Sequence, residues 1–313
     1  MGRANSIHKI GREDSIHNKR GKTVKENFDL QEHIAQGVEK IVSDAIKATW
    51  KDPKESAFMV KFAAASKKAS KRRMKLEEQG DHTPGFLIAS VTSRCNLHCA
   101  GCYSRCIDTT TDEAPVKQLT GQEWLEIFQE ARDLGVSFIL IAGGEPLLRR
   151  DIIEAASTIP EILFPIFTNG TFMDDRYFQL FDRCRNLVPV LSIEGEKEAT
   201  DQRRGPGMYE VITRNMKELQ QRHLLYGASI TVTTENIQEV TSENYIRFLV
   251  DQGCKMILFI EFVPVTEEAR HLAPGEEERK YQEEAMDRLR EQFDGVILLS
   301  FPGDELKMGR ITG

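Results

Sequence analysis

Hydrophobic and polar positions divide the chain into two regimes that meet near Gly85. Beyond that point, short apolar runs alternate with stretches in which apolar residues recur at helical spacing. The runs Phe86–Thr92, Ser137–Ala142, Leu163–Thr168, Val188–Ile193, Ala228–Thr233 and Met256–Val263 predict six strands. Amphipathic segments starting near Thr120, Asp151, Asp174, Met208 and Thr241 predict the helices between them. Phe138 to Ala142 is apolar throughout, which suits a strand of parallel sheet covered on both faces. Thr120 with Glu123 makes a capping box ahead of Trp124 and Leu125. Thr241 predicts another cap, ahead of Tyr245, Phe248 and Leu249. Strand–helix alternation repeated in this way predicts right-handed βαβ units. The expected fold class is α/β: a partial, TIM-like (β/α)6 barrel with an N-terminal helical extension.

The flanks read differently. Residues 1 to about 30 are polar and without apolar periodicity, and predict a flexible segment. Phe28, Leu30, Ile34, Val38, Ile41, Val42 and Ile46 predict a helix over 27–50, and a second is expected from about Glu55 to Glu78. The second half of that helix carries Lys67, Lys68, Lys71, Arg72, Arg73 and Lys75. Such a run reads as a solvated face with its charge favourably near a helix C-terminus, and alternatively as a contact for an anionic partner. Gly80–Gly85 is a linker by composition. After Val265 a charged helix is expected over Gly275–Phe293 and a further strand over Val296–Ser300. The expected division is an N-terminal helical extension, partly flexible, over 1–85, a core barrel over 86–265, and a C-terminal helix and strand over 266–313.

Composition narrows the functional classes. A net charge of -7 argues against bulk nucleic-acid binding, and no apolar run is long enough to cross a membrane. The first residues lack the hydrophobic stretch of a secretory signal. Three of the six cysteines stand within eight residues, a pattern of metal binding in a reducing compartment rather than of disulfides, so the expected location is the cytoplasm.

Those three, Cys95, Cys99 and Cys102, have C-x3-C-x2-C spacing directly after the first predicted strand. Three thiolates can hold three corners of a cubane iron–sulfur cluster, and a missing fourth ligand leaves one iron open for chemistry. A zinc site is the competing reading, with Cys106 as the nearest fourth ligand. Gly143, Gly144, Glu145 and Pro146 close the second strand; paired glycines permit close approach to the backbone, and a carboxylate can answer an ammonium group. Thr168 and Asn169 close the third strand, and Ser192 and Glu194 the fourth, with hydroxyl and carboxylate groups suited to a ribose or the polar end of methionine. Four polar motifs thus end four successive strands, the edge where α/β sheets carry their sites.

In this order the motifs resemble the radical S-adenosylmethionine enzymes, over about residues 86–265. The segment Asp201 to Gly207 resembles the D-x-x-R-G stretch of the family's peptide-maturase branch, which implies that Arg204, with Arg203 as competitor, faces the carboxylate of the cosubstrate's methionine. The resemblance implies a [4Fe-4S] cluster on Cys95, Cys99 and Cys102. It places S-adenosyl-L-methionine against Tyr103, Gly143, Gly144, Glu145, Pro146, Thr168, Asn169, Ser192, Glu194 and Arg204. It further implies an external electron donor such as flavodoxin or ferredoxin, and a 5′-deoxyadenosyl radical that takes hydrogen from a peptide, protein or small-metabolite substrate. The alternatives are a non-catalytic iron–sulfur electron carrier and a zinc-binding interaction module. Two departures stand out. Many members have an aromatic residue just before the third cysteine, where this chain has Gly101, with Tyr103 just after it. Many related maturases also carry a C-terminal cysteine-rich extension, whereas this chain has no cysteine after Cys254 and reads as cut short of it.

Overall fold

The computed structural model describes residues 53–304 other than Val116. The helix expected over 27–50 and the tail from residue 305 lie outside the described residues. Helix α1 (Pro53–Glu78) comes first, followed by strands β1 (Phe86–Ser90), β2 (Phe138–Ala142), β3 (Phe164–Thr168), β4 (Leu187–Ser192), β5 (Gly227–Val232), β6 (Met256–Glu261) and β7 (Ile297–Phe301). The connections carry α2 (Tyr103–Cys106) and α3 (Gly121–Leu134) before β2, α4 (Arg150–Ser157) before β3, and α5 (Asp175–Arg183) before β4. Helices α6 (Lys197–Arg204) and α7 (Met208–Gln221) precede β5, α8 (Ile237–Val240) and α9 (Glu243–Asp251) precede β6, and α10 (Glu276–Gln292) precedes β7.

All seven strands pair in parallel in the order of the sequence, forming an open half-barrel wrapped by helices. The partial barrel expected from the alternation is therefore present, with one strand more than the six counted for it. The strand expected near Val296–Ser300 extends the same sheet, pairing Met256 with Ile297 and Ile260 with Phe301. One expected cap shifts by a residue. Ser242, not Thr241, caps α9, accepting from Tyr245 N at 3.2 Å. Thr241 still belongs to the turn that ends α8, where its hydroxyl donates to Ile237 O at 2.6 Å. The capping box of Thr120 and Glu123 forms as expected.

Strand residues alternate between two apolar clusters, as the period of two requires. Ile139, Ile141, Phe164, Ile166, Ala228 and Ile230 face the surrounding helices, where Phe128, Ile152, Phe181 and Ile212 meet them. Phe138, Leu163, Val188 and Ile297 face inward and meet Met59 and Phe62 of α1. The Phe62 ring packs edge-on against Phe138 with centroids 5.4 Å apart. Helix α1 thus stoppers the half-barrel at the N-terminal ends of its strands, and only the opposite end is left for a site. Polar ties hold it there: Arg185, ahead of β4, pairs with Glu55 and with Asp182. Arg73 donates to Gly135 O, and Arg72 reaches Arg132 O at 3.1 Å and Asp133 O at 2.9 Å. These two arginines of the basic run satisfy carbonyls that end α3, whereas Lys67, Lys68, Lys71 and Lys75 are exposed. Among the described residues, no helix is long and apolar enough to cross a membrane.

Candidate functional site

The loop carrying the cysteines leaves β1 at the open end and is fixed from several sides. Cys95 N donates to Thr111 O at 2.9 Å, and Ala100 N donates to Arg203 O at 2.7 Å. The guanidinium of Arg105 fills the loop, donating to Leu97 O at 2.8 Å, Cys95 O at 3.1 Å and Asp112 Oδ1 at 2.8 Å. That hydrogen bond from Arg105 holds the Asp112 carboxyl below the usual range, and His98 turns outward to the same carboxylate. The thiols of Cys95, Cys99 and Cys102 are half-buried and unbridged, whereas Cys106 is exposed. Burial pushes the Cys95 and Cys99 thiols up, opposed by the Leu97 backbone hydrogen bond at Cys95 and by the Arg204 guanidinium at Cys99. A metal that binds them must therefore displace protons. Among the described residues, no three Cys, His, Asp or Glu side chains converge on one metal ion. A polynuclear cluster takes one thiolate at each corner.

The end of β2 lies directly beneath that loop. Gly144 N donates to Thr92 O at 2.7 Å and Glu145 N to Arg94 O at 2.8 Å. A Cβ at Gly143 would stand 2.4 Å from Thr92 O, and one at Gly144 would stand 2.2 Å from Arg94 O. The close approach these glycines permit within the protein is that of the cysteine loop's own backbone. Glu145 is 1% exposed and points across to β3. Its Oε1 accepts from the Thr168 hydroxyl at 2.7 Å and Leu147 N at 3.0 Å, and its Oε2 accepts from Asn169 N at 2.8 Å. Burial pushes this carboxyl up against the pull of those donors. Asn169 is bonded in turn, its Nδ2 donating to Asn96 Oδ1 at 3.0 Å. Thr168, Asn169, Glu145 and the cysteine loop are therefore one connected network, and Pro146 is buried as it opens a short 3-10 turn.

The fourth strand brings charge. Glu194 is 1% exposed, accepting from Arg204 Nη2 at 2.5 Å and from Thr231 N at 2.8 Å. Both carboxylate oxygens are thereby engaged inside the protein. Arg203 Nε lies 3.3 Å from the same Oε1 without hydrogen-bond alignment. Burial opposes charge on Arg204, but the Glu194 carboxylate holds the guanidinium above its ordinary value. The Nε groups of both arginines are buried with no hydrogen-bond partner. Two guanidiniums share one carboxylate beside Cys99 and Cys102, so the corner carries uncompensated positive charge and spare donors. A buried cation left in that state is costly unless an anion completes it. The arrangement fits thiolates holding a cluster, and a carboxylate that two guanidiniums can grip. Ser192 is half-buried with its hydroxyl 3.3 Å from that of Ser229, and Tyr103 stands half-exposed at the start of α2.

The motif reading missed Phe262, which directly follows β6. A Cβ at Gly101 would stand 2.7 Å from its Cε2, so the ring occupies the space that a side chain at 101 would need. Its only signal in the sequence is its place at a strand's C-terminal end.

The model of the radical SAM superfamily matches residues 89–243, a span that takes in the three cysteines, the end of β2, the end of β3, Glu194 and both arginines. The chain belongs to the radical SAM superfamily. It is 26% identical over 157 residues to the Fe-coproporphyrin III synthase of Methanosarcina barkeri, covering 49% of this chain and 38% of that protein. To the AdoMet-dependent heme synthase of the same organism it is 24% identical over 202 residues, covering 63% and 57%. The fold resembles that of SuiB from Streptococcus suis, solved bound to S-adenosylmethionine, with a TM-score of 0.61 at 16% identity over 74% of this chain and 54% of SuiB. The chain spans 38% and 57% of the lengths of these two curated relatives. Helix α1, Phe262 and β7 all lie outside the span matched by the radical SAM model.

Proposed function

We propose that the chain is a radical SAM enzyme that cleaves S-adenosyl-L-methionine reductively to abstract hydrogen from a peptide, protein or small-metabolite substrate. The observation that carries this reading is the corner where Arg203 and Arg204 share one carboxylate beside Cys99 and Cys102, with both Nε groups unpartnered. Cys95, Cys99 and Cys102 would hold three irons of a [4Fe-4S] cluster and leave the fourth for the cosubstrate. Bound there, a reduced cluster would supply one electron for cleavage of S-adenosylmethionine to methionine and a 5′-deoxyadenosyl radical.

The protein's own residues bind and orient. Arg204, held by Glu194, meets the methionine carboxylate, and Arg203 adds positive charge beside it. The backbone at Gly143 and Gly144 offers carbonyls to the amino group, while Ser192 offers a hydroxyl to the ribose and Tyr103 an aromatic face. Glu145 and Glu194, buried and saturated, act by holding other groups in place rather than by touching the cosubstrate. An external one-electron donor such as a flavodoxin or ferredoxin supplies the reductant.

The test is anaerobic. The chain is reconstituted with iron and sulfide, reduced with dithionite, mixed with S-adenosylmethionine, and assayed for 5′-deoxyadenosine beside Cys99→Ala. Production that vanishes in the variant supports the reading. An intact four-iron cluster that yields none would replace it with electron transfer, and zinc without iron or sulfide would replace it with an interaction module.

A further inference from the structure

We propose that Phe262 is a positioning residue that pins the cysteine loop from across the mouth of the half-barrel. The loop leaves β1, an edge of the sheet, whereas Phe262 leaves β6, and four strands separate the two. Their outer ends nevertheless meet. Gly101 lies between Cys99 and Cys102 with φ of +63°, and a Cβ there would stand 2.7 Å and 2.9 Å from Phe262 Cε2 and Cζ. The ring is 3% exposed, and its backbone is fixed by Phe262 N donating to Val232 O at 2.9 Å. Arg203 completes the contact. Its guanidinium lies 5.7 Å from the centre of the Phe262 ring, while its carbonyl accepts from Ala100 N.

One aromatic ring therefore touches both the loop that carries the three thiols and an arginine of the cationic corner. It ties the two together from a strand that lies beyond the span matched by the family model. A rigid wall between Cys99 and Cys102 fixes how those thiols face the arginines. This inference rests on the radical SAM reading only for its cluster readout.

The first measurement is hydrogen–deuterium exchange on the full, metal-free, reduced chain. Phe262→Ala is expected to speed exchange in peptides over 95–106 by about tenfold while β2 to β5 stay protected, with Phe262→Leu in between. Gly101→Ala pushes on the same contact from the loop side and adds strain at its φ of +63°, so it should loosen the same peptides, and Phe262→Val in the double variant should recover the part of that loss due to the contact. In reconstituted protein, Phe262→Ala should release iron to a chelator several-fold faster, and it should shift the reduction potential of the intact cluster, a change that loss of overall stability alone would not make. Exchange over 95–106 unchanged in both single variants overturns the proposal. So does simple additivity in the double variant, even if Phe262→Ala loosens the whole chain. Absence of a cluster in the parent protein would count against the radical SAM reading and leave the exchange result standing.

Discussion

Glu145 is where the ends of β2 and β3 are tied, and its replacement gives a result of definite size. Three donors converge on its carboxylate: the Thr168 hydroxyl and Leu147 N on Oε1, and Asn169 N on Oε2. In Glu145→Gln the amide nitrogen takes the Oε2 position and faces the Asn169 N–H, so one bond is lost and one donor left unpaired, at a cost of about 1–3 kcal/mol. Glu145→Ala strands all three donors in a site that is 1% exposed, and should cost about 3–6 kcal/mol, a large share of the ~5–15 kcal/mol that stabilises a typical domain. Urea denaturation of the metal-free protein measures both. The pH dependence is an internal check. Burial raises this carboxyl in the folded state, so the native form holds its proton to a higher pH than the unfolded chain. Stability from this group is present below the ordinary carboxylate range and falls as pH rises toward the raised folded value, and Glu145→Gln should remove that slope. Binding of S-adenosylmethionine should weaken by less than about tenfold in the Gln variant, since a direct charged hydrogen bond would cost at least that much. Equal costs for Gln and Ala, or a greater loss of binding with stability unchanged, would refute the role of a structural tie.

Two further outcomes follow from local structure. Thr120→Ala removes a complete capping box at the start of α3 and should lower stability by about 1 kcal/mol in the same urea titration, with S-adenosylmethionine binding intact. Alkylation of the native, metal-free protein at pH 8 should modify exposed Cys106 and spare Cys254, whose thiol burial pushes up to about 12. Mass spectrometry reads the sites, and modification of Cys254 at the rate of Cys106 would contradict its burial.

The strands and the order of the motifs were legible because both depend on local pattern. Apolar runs such as Phe138–Ala142 and the polar residues that end them are set by a period of two and by the exit from the sheet. Directions of side chains at strand ends are not periodic. Nothing in Gly143 to Pro146 shows that Glu145 turns to Thr168 and Asn169, or that Thr92 and Arg94 fill the space above the glycines. Arg203 and Arg204 could be ranked only by resemblance, whereas the structure brings both to Glu194. Phe262 was invisible for a similar reason, since its meaning lies in Gly101, some 160 residues earlier. The shift from Thr241 to Ser242 is a boundary effect: two hydroxyl residues stand side by side, and the choice falls on the one that the preceding turn releases.

The stopper formed by α1 also bears on how the chain is made. Phe62 and Ile297 share one apolar cluster although about 235 residues separate them. At translation rates of roughly 5–20 residues per second, Phe62 leaves the ribosome on the order of 10–50 s before its last partner. Through that interval the floor of the nascent half-barrel lacks the strand that completes it, and Met59 and Phe62 have only part of their apolar surroundings. Contacts of such long range close slowly. Pairing of α1 with β7 is therefore a late step for the newborn chain, and yield in cells should respond sharply to changes at Phe62 or Ile297.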